Sequence, residues 1–162
     1  MRAQDCARGF GGSSSSASGQ SSLPGGRTQG ITGDALLNAI SGGLFDGLSH
    51  ADAYRRIIDS YRLRVEDEYV FEQSNKGIYA GEDPNPEFRD FLNKAETKKL
   101  LPAWWSRAKR AECESLSTDS RGDSYLGHAV EKHDIQEKYA DSLMPLKIRV
   151  LAEKIYGRRI GV

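Results

Sequence analysis

The sequence has few of the residues that metal centres and disulfide frameworks require. Its 162 residues include only two cysteines, Cys6 and Cys113, and three histidines. A structural zinc site needs four Cys or His ligands in paired spacings, and a disulfide scaffold needs more cysteines than this. We therefore expect no metal or other cofactor, and a reducing compartment in which Cys113 is a small packed side chain within a helix.

Net charge is also lacking, since 23 basic residues balance 23 acidic ones. General nucleic-acid binders carry a basic excess, so the balance argues against nucleic acid as the partner. No apolar run approaches the roughly 20 residues of a membrane-spanning helix, which predicts no membrane association. We expect an intracellular protein of the cytoplasm or nucleus. The arginines and serines of the first 27 residues, which weakly fit a transit peptide, keep mitochondria as the alternative.

Glycine and serine are concentrated near the N-terminus, as in the run from Gly11 to Ser16. Such a composition cannot offset the entropy of ordering the backbone by burying apolar surface. The sequence therefore predicts a disordered low-complexity tail over residues 1–33 and a single α-helical domain over residues 34–162, which begins with a short helix at 34–40.

Apolar residues recur at helical spacing in five later segments, and strand signals are thin. We predict helices at residues 49–69 after the N-cap Ser49, at 85–98, at 107–116 after Ser106, and at 145–156 before Gly157. A further helix is expected to start at 123 or 124 and to reach 139, either straight or kinked. The predicted fold class is mostly α, a small irregular or orthogonal bundle of about five helices.

The apolar stripes of these helices also predict which side chains form the core. The polar residues of the first helix, with the pairs Arg55–Asp59 and Arg62–Glu66, and the acidic run at 66–68 are expected to face solvent. The predicted core consists of Tyr54, Ile57, Ile58, Tyr61, Phe88, Phe91, Trp104, Trp105, Leu151 and Ile155.

No catalytic pattern stands out in the sequence. His128 and His133 are five residues apart, which does not place them on one helix face, and neither lies in an H-E-x-x-H frame. Adjacent acids on a helix point in different directions, whereas a carboxylate pair in catalysis must face one pocket. The sequence also lacks a G-x-S-x-G elbow and a P-loop. We therefore predict no catalytic, metal-binding or cofactor-binding residue, and a protein that is not an enzyme.

The only two tryptophans are adjacent, between Pro102 and a basic helical segment. We favour core packing of both rings, held by a turn at the proline. The next interpretation is an interaction patch on a protein partner, since Trp and Arg are enriched at binding hot spots. The same pairing of aromatic and basic residues can stack nucleic-acid bases. The candidate patch consists of Trp104, Trp105, Arg107, Lys109 and Arg110.

Six blocks, in this order and spacing, resemble the C-terminal helical region that follows the MYND-type zinc finger in a group of small fungal proteins. The resemblance implies a fungal source and a regulatory, partner-binding role. The cysteines and histidines of the finger are absent here, so its zinc and peptide-docking surface are not carried over. The matching blocks are residues 54–67, 88–92, 100–113, 130–135, 144–145 and 156–157.

These observations predict a non-enzymatic accessory domain that binds an unidentified protein partner, with no small-molecule ligand. Two alternatives stay open. The first is a small accessory enzyme of fungal metabolism with a pocket lined by Tyr61, His133 and Trp104. The second is a mitochondrial expression factor that contacts RNA through the Trp/Arg patch.

Overall fold

The computed structural model describes residues 42–160, which belong to the unit Ile40–Val162. Within that range the chain forms five α-helices, one short 3-10 helix and no strand, which confirms the predicted mostly-α class. The predicted tail and the helix at 34–40 lie outside the described residues. No helix between residues 42 and 160 is both long and apolar enough to cross a membrane. The helices are α1 (His50–Glu72), α2 (Asn85–Thr97), α3 (Arg107–Ser117), α4 (Lys132–Tyr139) and α5 (Met144–Tyr156), with the 3-10 turn Gly77–Ala80 between α1 and α2.

Local capping chemistry sets several helix ends where the sequence predicts them. The Ser49 hydroxyl accepts a hydrogen bond from the Asp52 amide at 3.1 Å, and Ser106 does the same for the Lys109 amide at 3.2 Å. Gly157 ends α5 with a φ of 77°, a left-handed conformation that glycine adopts without steric cost. These three predicted caps are confirmed.

Helix α1 is the central element, and it packs against α3 and α5. Its polar side is buried as well as its apolar side, so the predicted solvent-facing stripe is wrong. Asp59 is fully buried, and Arg62 is 7% exposed. Asp59 pairs with Arg62 rather than with Arg55, which instead contacts Asp52. The reason is that α4 and the loop before it cover this face of the helix with groups that hydrogen-bond to it.

The acidic run after Val65 is also not a solvated face. Asp67 is 5% exposed and accepts two hydrogen bonds of 2.8 Å from Arg149 of α5. Glu68 is 3% exposed and pairs with Arg64 at 2.9 Å. Both acids are tolerated in the interior because a guanidinium neutralises each of them.

Helix α4 is shorter than predicted, because residues 123–131 form turns and irregular chain. The Asp134 carboxylate accepts a hydrogen bond from the Glu131 amide at 2.8 Å, which fixes the start of the helix there. The preceding loop is held by Arg62, which donates to the carbonyls of His128 and Asp123. The apolar residues of 123–131 have helical spacing, but those that are buried enter the core one by one from a loop and do not form a helix.

Eight of the ten predicted core residues are buried, which confirms most of the core. The exceptions are Trp104 and Trp105, which are partly buried and pack against the core from outside. They lie in the connection between α2 and α3 rather than on a helix.

Candidate functional site

The tryptophan block forms the tight connection between α2 and α3. Lys99 has a φ of 57°, and the Leu100 amide donates to the carbonyl of Ala95, which reverses the chain after α2. The Trp105 amide then donates to the carbonyl of Pro102 at 2.9 Å. The two indole planes are inclined by 41°, and their different neighbours give the two rings different roles.

Trp105 belongs to a polar clamp that joins α2 and α3. Its Nε1 donates to Glu96 Oε1 at 2.9 Å, and the other oxygen of Glu96 accepts from Arg110 Nη1 at 2.9 Å. Arg110 also donates to Asn93 and pairs with Glu114. Each of these groups has a partner within the protein, so this cluster serves mainly to hold the two helices together.

The basic residues of the predicted patch are largely neutralised by neighbouring acids. Lys109 Nζ lies 3.1 Å from Glu112 Oε1, and Arg110 lies between two glutamates. Arg107 is exposed and lines a cleft of about 470 Å³ with Glu96, Ser106, Trp105 and Arg110. The acids lower the positive potential that a phosphate backbone would require.

Tyr54 of α1 contacts both indoles. Its ring centroid is 5.9 Å from that of Trp104 and 6.1 Å from that of Trp105, both with edge-to-face geometry. Its hydroxyl donates to Glu112 Oε2 at 2.7 Å, and this bond together with Lys109 holds the pKa of Glu112 below its usual range. Tyr54 thus fixes the position of both rings on the core.

Trp104 lies at a groove of about 630 Å³, which we call the Trp104 groove. Its indole stacks on the exposed ring of His50 with a centroid distance of 4.0 Å. The groove is bounded by two chain segments and one face of α5. Its lining residues are Gly42, Leu44, Phe45, Asp46, Gly47, Leu48, Lys99, Leu100, Leu101, Pro102, Ala103, Trp104, Leu151 and Lys154.

The first wall of the groove is the segment 42–48, which sequence reasoning missed as a functional element. Arg56 of α1 holds this segment by donating to the carbonyl of Leu44 at 2.8 Å, and the Leu44 side chain is buried in the core. The available signal was the apolar set Leu44, Phe45 and Leu48 directly after two glycines. That set has no helical or strand period, so no regular element could be assigned to it.

The patch predicted from the sequence is therefore divided in the structure. Trp104 lines one groove, whereas Trp105, Arg107 and Arg110 line another cleft. Lys109 pairs with Glu112 and lines neither of these two. Adjacent positions on a turn point in different directions, so proximity in sequence did not place these side chains on one surface.

The three residues of the enzymatic alternative have different surroundings. Tyr61 is buried against Phe88 and Phe91, with ring centroids 5.3 and 5.6 Å away. His133 is exposed on α4 and lies 3.2 Å from Glu137, and Trp104 lies in its groove.

Cys113, on α3, is fully buried, and this burial raises the pKa of its thiol well above the ordinary value. Over residues 42–160 there is no group of three or more His, Cys, Asp or Glu side chains that could hold a metal ion. No known family model, curated protein or solved structure matches the chain.

Proposed function

We propose that this chain is a non-enzymatic protein-interaction domain of a regulatory accessory protein, and that it receives an apolar segment of its partner in the Trp104 groove. The observation that carries the proposal is the position of the Trp104 indole, which is only partly buried beside Leu100, Leu101 and Phe45. A large, rigid aromatic side chain beside leucine and phenylalanine side chains at the edge of a concavity is typical of a binding hot spot.

The chemistry of the groove favours binding over catalysis. Among the described residues that line it, none carries an imidazole, a thiol or a hydroxyl group. General acid–base and nucleophilic catalysis depend mainly on such groups, or on carboxylates and amines brought together at one point. The ionisable groups of the lining are Asp46, Lys99 and Lys154, and they come from three different parts of the chain.

The resemblance to the helical region appended to fungal MYND-type fingers supports the same conclusion. The resemblance implies a fungal source and a partner-binding character, and we propose an intracellular setting for the domain, in the cytoplasm or nucleus. An RNA-contacting role would instead use Arg107, Lys109 and Arg110, and acids neutralise the last two of these.

The test compares Trp104→Ala with Trp105→Phe, which keeps an aromatic ring but removes the Nε1 donor to Glu96. Each full-length variant is tagged and used for quantitative affinity purification from a fungal cell extract. We expect at least one protein that the wild type and Trp105→Phe retain equally and that Trp104→Ala retains about tenfold less, since hot-spot truncations commonly cost this much or more.

Circular dichroism melts accompany the purification, so that loss of a partner is not confused with loss of the fold. If every retained protein binds the two variants alike, while both variants stay folded, then the groove is not a docking site and the proposal is wrong.

A further inference from the structure

We infer that the segment received by the Trp104 groove carries two or three large apolar side chains flanked by aspartate or glutamate residues. This inference rests on the proposed function, and it names the chemistry of the partner at the same groove. The occupant is a segment of another protein, and its acidic flank faces the lysines at the end of α2.

The apolar part of the inference follows from the lining. Eight of the fourteen described lining residues are leucine, phenylalanine, proline or tryptophan, and Leu151 of α5 is 3% exposed at the base of the groove. A volume of about 630 Å³ lies in the range of sites that enclose several apolar groups at once. Peptides that fill such grooves do so with a few anchoring side chains from one face.

The acidic part follows from two adjacent lysines directly after α2, of which Lys99 lines the groove. Lys98 and Lys99 are both exposed, and Lys98 Nζ donates to the backbone carbonyl of Lys154 at 3.1 Å. Neither Lys98 nor Lys99 has a carboxylate partner among residues 42–160. Among the described lining residues Asp46 is the only acid, and it belongs to the opposite segment.

In the described part of the chain, the other basic residues of α2 and α3 have carboxylate partners, with the exception of Arg107, which lines the separate cleft beside Trp105. Lys94 pairs with Asp90, Arg89 pairs with Glu114 at 2.9 Å, and Lys109 pairs with Glu112 at 3.1 Å. Two adjacent lysines that lack this neutralisation, next to an apolar groove, provide the complement to an acidic flank. Charges placed in this way set specificity and association rate more than total affinity.

The experiment selects peptides from a random displayed library on the full-length protein. The selected peptides are then synthesised and titrated against a Trp105→Phe background, in which Trp104 is the only indole and its emission reports binding. We expect selected sequences in which aspartate or glutamate flanks large apolar residues. Their binding should shift the Trp104 emission and weaken as salt is added, because the Debye length falls.

The critical variant is Lys98→Glu with Lys99→Glu, which should weaken these peptides about tenfold at low salt and remove the salt dependence. The matched control is Arg121→Glu with Lys132→Glu, which makes the same change of net charge at exposed positions that do not line the groove. The control should bind as the parent does.

The outcomes separate this inference from the proposed function. Peptides that bind through Trp104 but show no acidic preference, or that bind the Lys98/Lys99 variant equally well, overturn the inference and leave the proposed function standing. Failure to select any peptide whose binding depends on Trp104 overturns both.

Two other occupants would also overturn the inference. Concentration-dependent dimerisation in sedimentation velocity that Trp104→Ala abolishes would assign the groove to a second copy of the chain. Peptide binding that begins only when residues 1–41 are deleted would assign it to the chain's own N-terminal segment.

Discussion

Replacing Asp59 by asparagine tests the conclusion that a buried charge cluster fixes α4 on the central helix. The carboxylate accepts hydrogen bonds from Arg62 Nη1 at 2.7 Å, from Lys138 Nζ at 2.7 Å and from the Tyr139 hydroxyl at 2.8 Å. The side chains of Asp59, Arg62 and Lys138 are 0%, 6% and 15% exposed. Asparagine has nearly the same shape, so the change removes the negative charge and leaves two cations facing each other.

Loss of one partner from a buried ion pair typically costs about 3–5 kcal/mol, because the remaining charge stays desolvated without a counter-charge. A domain of this size has about 5–15 kcal/mol of stability in total, so the variant should remain folded but only narrowly. With a urea m-value of roughly 2 kcal/mol per molar, the midpoint of unfolding should fall by about 2 M at an unchanged m-value. Urea titration followed by far-UV circular dichroism measures this shift.

Asp52→Asn is the matched control on the same helix. Asp52 lies 2.9 Å from Arg55, but its side chain is 55% exposed. An exposed pair is worth less than about 1 kcal/mol, so the midpoint should move by less than about 0.5 M. The reasoning is refuted if Asp59→Asn destabilises the protein no more than this control does.

A double-mutant cycle that combines Asp59→Asn with Lys138→Met separates the contact between Asp59 and Lys138 from other effects of the asparagine side chain. The losses of unfolding free energy in the two single variants should sum to about 1–3 kcal/mol more than the loss in the double variant. The reason is that Lys138→Met removes a cation that Asp59→Asn leaves unpaired. Strict additivity would show that the contact between Asp59 and Lys138 contributes nothing measurable.

Of three further predictions, two use the same unfolding assay and one uses thiol labelling. Ser106→Ala should lower stability by about 1 kcal/mol, because the amide of the first turn of α3 loses its acceptor, and an unchanged midpoint would contradict this. In a Cys6→Ser background, the buried thiol of Cys113 should react with a thiol reagent only as fast as the protein unfolds, and rapid labelling of the native protein would show that the thiol is accessible. Burial, aided by nearby carboxylates, raises the pKa of Tyr61 and Tyr139 above the ordinary value near 10, so their contribution to stability is complete below about pH 10. Above that pH the unfolded chain loses these protons and the folded chain does not. Each tyrosine should therefore lower the free energy of unfolding by about 1.4 kcal/mol per pH unit. A urea midpoint that stays constant to pH 11 would contradict the burial of both tyrosines.

Helix positions were largely predictable because their signals act over three or four residues. Ser49 and Ser106 bond to amides three positions later, and Gly157 ends α5 through its own backbone freedom. The apolar stripe that contains Ile57, Ile58 and Tyr61 depends only on the helical period, and it was recovered in full. The start of α4 was mislocated, because apolar spacing predicted a helix in a segment that Arg62 holds as a loop.

The candidate site was only partly predictable. The sequence singled out Trp104 and Trp105 as a pair, but their different partners come from distant segments. Trp105 bonds to Glu96 on the preceding helix, whereas Trp104 stacks on His50 at the start of α1 and faces the segment 42–48. The groove exists because that segment, held by Arg56, lies beside the α2–α3 connection.

The sequence by itself determined that this chain forms helices, where most of them begin and end, and which apolar residues enter the core. These features depend on backbone capping and on the helical period, both of which act locally. Only the tertiary structure decided that the polar face of α1 is buried and that the two tryptophans line separate clefts. A charged side chain such as Asp59 is stable inside the protein because Arg62, three residues later, and Lys138, 79 residues later, both neutralise it, and a local pattern carries no information about the second, distant partner.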